Sequence, residues 1–421
     1  MKIQLLNPPI HHYTGRQYRM MPPINLPTIA ALLSAAGHYA EVIDLEALAV
    51  TPERLEHAYK AQRESWPDVI GITSMTITSR GAMDTVQALR RAGFDGKIIA
   101  GGIYPTENAQ KCIDDWGVDL VVVGECEGNV VEIFERGAPG VHLGQRMPIE
   151  DIPAPDWQHH NPPIGDYNGN TRLINPKPGI SMWSRGCPFQ CVFCSDNLFN
   201  GQPIRYRPPA LIEQEMRELK RRGCLNCYVY DDELVGTKLP HGWIEDIADR
   251  IEDLHLPYIT QGHCNRNTIT PESMSHVKRS GCRVIFWGLE SFSENVLLAI
   301  KKRIKEVDIW HTLKVSHEAG IENAVFTMVG NYKETVADLE HTYNCLKKAH
   351  ADGLIQYRQT TVCTGMPGTP LEKIMKAEGW WTEPPEYGPQ MAQVYSPTPW
   401  LTMQEIMYWA NKFQETCPGV P

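Results

Sequence analysis

Short apolar runs alternate with amphipathic stretches over residues 1–140. The runs at 2–6, 40–45, 69–73, 97–100 and 119–123 are short and nearly continuous in apolar character. Parallel strands covered on both faces read this way. Between them apolar positions recur at helical spacing, as over 26–37, which ends in Gly37, and over 80–92, which is followed by Gly93. The pattern predicts an α/β domain with a doubly wound parallel sheet. Ligands of such sheets bind outside the carboxyl ends of the strands. The informative turns are therefore Asn7-Pro8-Pro9, Thr73-Ser74-Met75-Thr76, Gly101-Gly102-Ile103-Tyr104-Pro105 and Gly124-Glu125-Cys126-Glu127-Gly128.

Pro, His, Asn and Gly crowd residues 141–178, which predicts a linker with little regular structure. A second alternation fills 179–370, with strand patterns at 180–184, 227–230, 258–261, 283–287, 323–328 and 355–362. Six such units are too few for a closed eight-fold barrel and predict an open, partial one. Residues 371–421 are dense in Trp, Tyr, Met and Pro and are expected to form a short C-terminal cap.

Composition narrows the function. The chain has 421 residues, 42% of them hydrophobic, which suits two or three domains with cores of their own and excludes a disordered or collagen-like chain. Its 40 Lys+Arg against 50 Asp+Glu give a net charge of −10, which argues against gripping a nucleic-acid backbone by bulk electrostatics. No apolar run approaches the ~20 residues of a membrane span and no signal-peptide pattern opens the chain, so a cytoplasmic location is expected. The 12 Cys are then metal ligands, redox thiols or packing residues rather than a disulfide framework. Neither a dinucleotide fingerprint after the first strand nor a P-loop occurs.

The chemistry lies in Arg185-Gly186-Cys187-Pro188-Phe189-Gln190-Cys191-Val192-Phe193-Cys194, at the end of the second region's first strand. Cysteines at C-x3-C-x2-C bring three thiolates to one loop, and soft thiolates select iron–sulfur clusters or zinc. A zinc site would want a fourth ligand, yet no second Cys/His pair stands at finger or ribbon spacing. Three ligands leave one iron of a four-iron cluster open to a small molecule.

This loop, with Phe193 before its last cysteine, resembles the cluster loop of the radical S-adenosylmethionine (SAM) superfamily. Three further stretches match that family in order. Tyr230-Asp231-Asp232-Glu233 resembles the acidic motif at the methionyl amino group. Gly288-Leu289-Glu290-Ser291 resembles the motif near the ribose. Phe326-Thr327-Met328-Val329-Gly330-Asn331 resembles the adenine-side motif, with Asn331 where a Pro is usual. An α/β domain placed before such a barrel, with its Asn-Pro-Pro and Gly-rich turns, resembles the cobalamin-binding branch. The resemblance covers roughly residues 1–375. It implies a Rossmann-like cobalamin domain over 1–140, with contacts from Asn7, Pro8, Thr73, Ser74, Met75, Thr76, Gly101, Gly102, Tyr104, Gly124, Glu125 and Glu127. It also implies a 4Fe–4S cluster on Cys187, Cys191 and Cys194, with SAM near Phe193, Tyr230, Asp231, Asp232, Glu290, Ser291 and Met328. The histidine-supplying cobalt motif of many cobalamin proteins is absent, so the lower cobalt face is expected to meet the Thr73–Thr76 turn.

The implied activity is methyl transfer from SAM through methylcobalamin to an unactivated carbon, after a 5′-deoxyadenosyl radical removes hydrogen. An electron donor such as ferredoxin or flavodoxin is implied. A peptide or protein side chain, such as the glutamine of methyl-coenzyme M reductase, is one expected substrate. A small natural-product intermediate, methylated, rearranged or cyclised, is the other. Tyr357, Arg358 and Gln359 end a late barrel strand and are candidate substrate contacts. Cys224 and Cys227 are expected to be structural, and Glu125 and Glu127 to accept hydrogen bonds rather than transfer protons.

Overall fold

The computed structural model describes residues 1–10, 21–168, 173, 176–199, 201, 203–382 and 396–420. The first sheet contains β1 (Lys2–Asn7), β2 (Tyr39–Asp44), β3 (Val69–Thr73), β4 (Lys97–Gly101), β5 (Leu120–Val123), β6 (Gly140–Leu143) and β7 (His160–Asn161). All its pairs are parallel, in the order β6-β5-β4-β3-β1-β2-β7. Its central strands β3, β4 and β5 are apolar on both faces because both are covered. Leu6, Ile70, Ile72 and Ile98 pack towards the helix Ser79–Ala92, and Ile3, Leu5, Val42 and Ile99 towards Asn25–Ala35. Gly93, at φ +94°, closes Ser79–Ala92 in the left-handed conformation.

The expected linker is less irregular than its composition suggests. β6 straddles its start, with Leu143 75% exposed, and β7 lies inside it, pairing with β2. Both are short edge strands without a buried apolar run, so sequence periodicity does not reveal them.

The second sheet holds β8 (Pro178–Ser181), β11 (Asn226–Val229), β12 (Tyr258–Gly262), β13 (Cys282–Glu290), β14 (Glu322–Val329) and β15 (Tyr357–Val362). They run parallel in chain order, as an open barrel requires. Between β8 and β11 a small antiparallel pair, β9 (Ser184–Arg185) with β10 (Arg205–Tyr206), breaks the strand expected at 180–184. Trp287, Ile285, Val325 and Val229 face the surrounding helices, while Tyr228, Ile259, Phe286 and Ala324 form a smaller apolar layer on the opposite, inner face. Cys224 and Cys227 are fully buried in the larger core.

The C-terminal segment lies along β15: Arg358 N donates to Pro418 O, and Val420 N to Arg358 O. The helix Met403–Phe413 buries Ile406, Trp409 and Phe413 in the larger core. Trp380 stacks on Tyr332, with Trp400 edge-on to both. Residues 383–395 of the expected cap lie outside the described residues. Among those described, no helix is long and apolar enough to cross a membrane.

Candidate active site

The cysteine loop leaves β9 at Gly186, where φ is +102° and a side chain would meet the Gly201 carbonyl oxygen at 2.8 Å. The Gly186 amide donates to Asp232 Oδ2 (2.8 Å) and the Cys187 amide to Gly201 O (3.3 Å). Val192 N donates to Ile300 O, and Leu371 N to Val192 O, which ties the loop to segments following β13 and β15. Cys187, Cys191 and Cys194 are free thiols, with Cys191 buried and the others half-buried. Burial pushes the Cys187 thiol up to about 12, with Glu233 adding to the effect. Burial also raises Cys191, against the pull of Lys302.

The three sulfurs do not all come within 4.8 Å of one another. Thiolates on one tetrahedral zinc, with bonds of about 2.3 Å, would lie roughly 3.8 Å apart. The wider spacing and the three-thiol donor set fit a multi-iron cluster better.

Around the loop lies a set of buried charges. β13 shifts register between Gly288 and Glu290, and Glu290 takes φ +65°. Lys302 Nζ donates to Glu290 Oε1 at 3.0 Å, with the two side chains 10% and 9% exposed. Glu233 is buried and accepts from His263 N at 2.8 Å; burial holds its carboxyl well above the usual range, with Lys302 opposing. His263 stacks on Phe189 of the loop with ring centroids 3.7 Å apart. Burial, helped by Lys302, drives its pKa down to about 2, so the ring is neutral and its Nε2 has no partner among the described residues. Sequence reasoning missed Lys302 and His263 and quoted Glu233 without giving it a role. Lys302 sits in a basic run that reads as solvated surface, and His263 stands alone.

Other expected SAM contacts divide. Phe193 and Met328 join one apolar cluster with Val192, Ile300 and Met375. Asn331, in place of the usual Pro, donates through Nδ2 to Met328 O (3.0 Å), while Glu334 accepts from the Gly330 and Asn331 amides (2.7 and 3.0 Å). Tyr230 is exposed and edge-on to Tyr228. Asp231 is fully buried and accepts from Trp183 N (2.7 Å) and Ser184 Oγ (2.6 Å); burial raises its pKa to about 7 against these bonds. Ser291 is fully buried and hydrogen-bonded to Thr342 of the helix Val336–Ala351 (2.9 Å). The structure therefore engages Asp231 and Ser291 with the protein itself rather than presenting them to a ligand.

At the carboxyl edge of the first sheet, Asn7 Nδ2 donates to Asp44 Oδ1 (2.8 Å) beside buried Pro8. Thr73 Oγ1 accepts from Asn25 Nδ2 (2.8 Å), and Ser74 O accepts from Tyr104 N (3.1 Å). Tyr104 stacks on Trp116. Gly102 has φ +103°, and a Cβ there would lie 2.7 Å from Ser74 O. A Cβ at Gly101 or Gly124 would meet nothing within 4 Å. Met75 is 47% exposed and Thr76 half-buried. This open floor of small residues fits a broad, flat ligand such as a corrin.

Glu125 and Glu127 accept hydrogen bonds as expected, but their partners are arginines of this chain, which corrects their assignment as cobalamin contacts. Arg185 Nη1 donates to Glu125 Oε2 (3.0 Å) and Glu127 Oε1 (2.6 Å), and Arg205 and Arg146 also pair with Glu125. The Glu125 and Glu127 side chains are only 1% and 8% exposed. They join the turn after β5 to the residue that leads into the cysteine loop. Arg358 is a second correction. It is 1% exposed and donates to Thr360 Oγ1, Gln414 Oε1 and Cys417 O, bracing the C-terminal segment. Only Tyr357 of this trio packs against the smaller apolar layer, and Gln359 shares its face of the pleat.

A profile of the Radical SAM superfamily matches residues 182–346, and one of the B12 binding domain matches 14–134. An uncharacterised methyltransferase of Pyrococcus horikoshii is 25% identical over 88% of this chain and 82% of its own. Cytidylyl-2-hydroxyethylphosphonate methyltransferase of Streptomyces wedmorensis is 23% identical over 83% of this chain and 77% of its own. In fold the chain is similar to the radical SAM methyltransferase TsrM of Kitasatospora setae, solved with cobalamin and a 4Fe–4S cluster: TM-score 0.67, 18% identity, 91% of this chain and 76% of that one. The two matched domains and the methyltransferase relatives place this chain among the cobalamin-dependent radical SAM methyltransferases, with a 4Fe–4S cluster, SAM and cobalamin as cofactors.

Proposed function

We propose that the protein methylates an unactivated carbon of a small organic molecule held between the carboxyl edge of the first sheet and the mouth of the open barrel. The observation that carries this reading is the ion-pair clamp of Glu125 and Glu127 on Arg185, two residues before Cys187. It fixes the cobalamin side against the cluster side. A small cleft lined by Ile24, Thr28, Met182, Arg185 and Arg207 among others lies between the two parts.

When bound, the cluster, SAM and cobalamin supply one-electron cleavage of a sulfonium and carriage of a methyl group. The chain's own residues bind, orient and exclude water. Cys187, Cys191 and Cys194 hold the cluster, with Lys302 as a buried cation beside Cys191. Phe193 and Met328 give SAM an apolar wall, and Tyr230, Asp232 and Glu290 frame its polar end. Asn7, Pro8, the Thr73–Thr76 turn, Gly101, Gly102, Tyr104 and Gly124 form the cobalamin floor. Tyr357 and Gln359 face the substrate. In this assignment residues 1–140 serve cobalamin, 179–370 the radical chemistry and 371–421 the cover, with electrons from a low-potential donor such as ferredoxin or flavodoxin.

Three relatives are named for small molecules that they methylate: the phosphonate methyltransferase above, a bacteriochlorophyllide d methyltransferase of Chlorobaculum tepidum and a hopanoid C-3 methylase of Methylococcus capsulatus. They support that substrate class over a protein glutamine. Reduced holoenzyme supplied with SAM and a matching small molecule is expected to release S-adenosylhomocysteine and 5′-deoxyadenosine together with a methylated product, detected by mass spectrometry. Cys191→Ala should lose the 5′-deoxyadenosine. Formation of 5′-deoxyadenosine without S-adenosylhomocysteine would remove methyl transfer, and methylation confined to a protein side chain would remove the substrate class.

A further inference from the structure

On the helices that precede and follow β14, three metal-ligating side chains of different kinds meet. Glu306 opens the helix Glu306–Glu318, and His341 and Cys345 stand one turn apart on Val336–Ala351. The i,i+4 spacing puts the imidazole and the thiol on one helix face. His341 Nε2 lies 2.9 Å from Glu306 Oε2, and Cys345 Sγ lies 3.7 Å from both Glu306 Oε1 and His341 Nε2. A tetrahedral zinc with bonds of about 2.0–2.3 Å spaces its ligand atoms roughly 3.3–3.7 Å apart. With one carboxylate oxygen taken as the ligand, the three ligand atoms all lie within 4.8 Å of one another and need only modest shifts to occupy one face of such a tetrahedron.

The surroundings suit an ion. Cys345 is buried at the base, whereas the Glu306 and His341 side chains are 32% and 46% exposed and leave a way in. Trp310 Nε1 donates to Glu306 Oε1 at 2.9 Å and orients the carboxylate, as outer partners of metal ligands do. Thiolate with imidazole and carboxylate is a donor set that zinc accepts, and the mixture favours it over magnesium or calcium.

We infer that Glu306, His341 and Cys345 form a zinc site separate from the cysteine loop, with its fourth position open to water. Binding breaks the Cys345 S–H bond, forms the Zn–S bond and releases one proton to solvent; no electron moves. The ion clips together the helices on either side of β14, the strand that carries Met328 into the Gly330-Asn331 turn.

Holoenzyme isolated anaerobically with its cluster loaded, so that Cys187, Cys191 and Cys194 are occupied, can be dialysed against limiting zinc with a weak chelator. Elemental analysis should find one zinc per chain. X-ray absorption at the zinc edge should show a single sulfur at about 2.3 Å among nitrogen and oxygen ligands at about 2.0–2.2 Å. Cys345→Ser and His341→Ala should each weaken zinc binding by more than the roughly 10- to 100-fold that follows loss of an outer partner, with iron content unchanged. His341 is half-exposed, so its replacement tests the site even if Cys345→Ser misfolds. Failure of the wild type to retain zinc, a zinc edge without sulfur, or equal retention by the variants would overturn the assignment.

Discussion

Glu290 is held at φ +65°, and its carboxylate meets a lysine that is also buried. A non-glycine residue there costs about 1–3 kcal/mol and persists only where its surroundings fix it. Lys302 does so while placing a positive charge beside Cys191. Lys302→Met leaves the carboxylate buried and alone and is expected to destabilise the protein by about 3–5 kcal/mol, read from the urea midpoint. Adding Glu290→Gln should recover part of that loss. Glu334 makes a pH-dependent counterpart. Burial raises its pKa from 4.5 to about 7, against the hydrogen bonds from Asn331 and Gly330. The folded state thus holds a proton that the unfolded chain gives up, so this group's contribution is full below pH 4.5 and lost as pH rises through about 7. The melting temperature of the wild type relative to Glu334→Gln should fall across that interval.

Each proposed cofactor surface lies where strands end in turns. Gly101 and Gly102 are adjacent yet have different tasks. Gly102 carries the turn itself, so Gly102→Ala should cost at least about 1–2 kcal/mol through its positive φ, with a clash on Ser74 O in addition. Gly101 borders open space, so Gly101→Val should leave the melting temperature nearly unchanged while weakening cobalamin binding about tenfold or more, equivalent to ~1.4 kcal/mol in equilibrium dialysis. If Gly101→Val bound cobalamin as the wild type does, the corrin floor would lie elsewhere. The pleat of β15 makes the same point about elements. Three consecutive strand residues cannot share a face, and the structure turns Arg358 away from Tyr357 and Gln359, against Gln414 and the Cys417 carbonyl. The alternation rule alone could have separated them.

At the scale of the whole molecule, the decisive contact is the one between the two sheets' domains. Glu125 faces Arg146, Arg185 and Arg205, and Glu127 shares Arg185. Glu125→Gln/Glu127→Gln is expected to keep cobalamin and cluster contents but to let the domains shift. Because a misplacement of about 1 Å can cost 10²-fold in rate, methyl transfer should fall by about that factor, while small-angle scattering reports a broader particle. Unchanged turnover would show that the clamp does not set the distance between cofactors.

Much of this was legible from the chain. The cysteine loop is local, so its spacing suffices, and parallel strands buried on both faces announce themselves as apolar runs whose order a crossover topology then restricts. The edge strands β6 and β7 were not legible, because few of their side chains are buried to leave a pattern. Nor were the partners of the acidic residues. Glu125 lies 60 residues from Arg185 and Asp231 lies 47 from Ser184, and periodicity holds no record of pairs so far apart. The sequence by itself determined the two α/β domains, the cluster loop and the family of chemistry, each written in neighbouring residues. Only the tertiary structure decided which carboxylates are engaged by arginine, lysine and backbone partners, that Lys302 and His263 are buried beside the cysteine loop, and that Glu306, His341 and Cys345 meet, because burial and charge pairing arise between segments that come together only on folding.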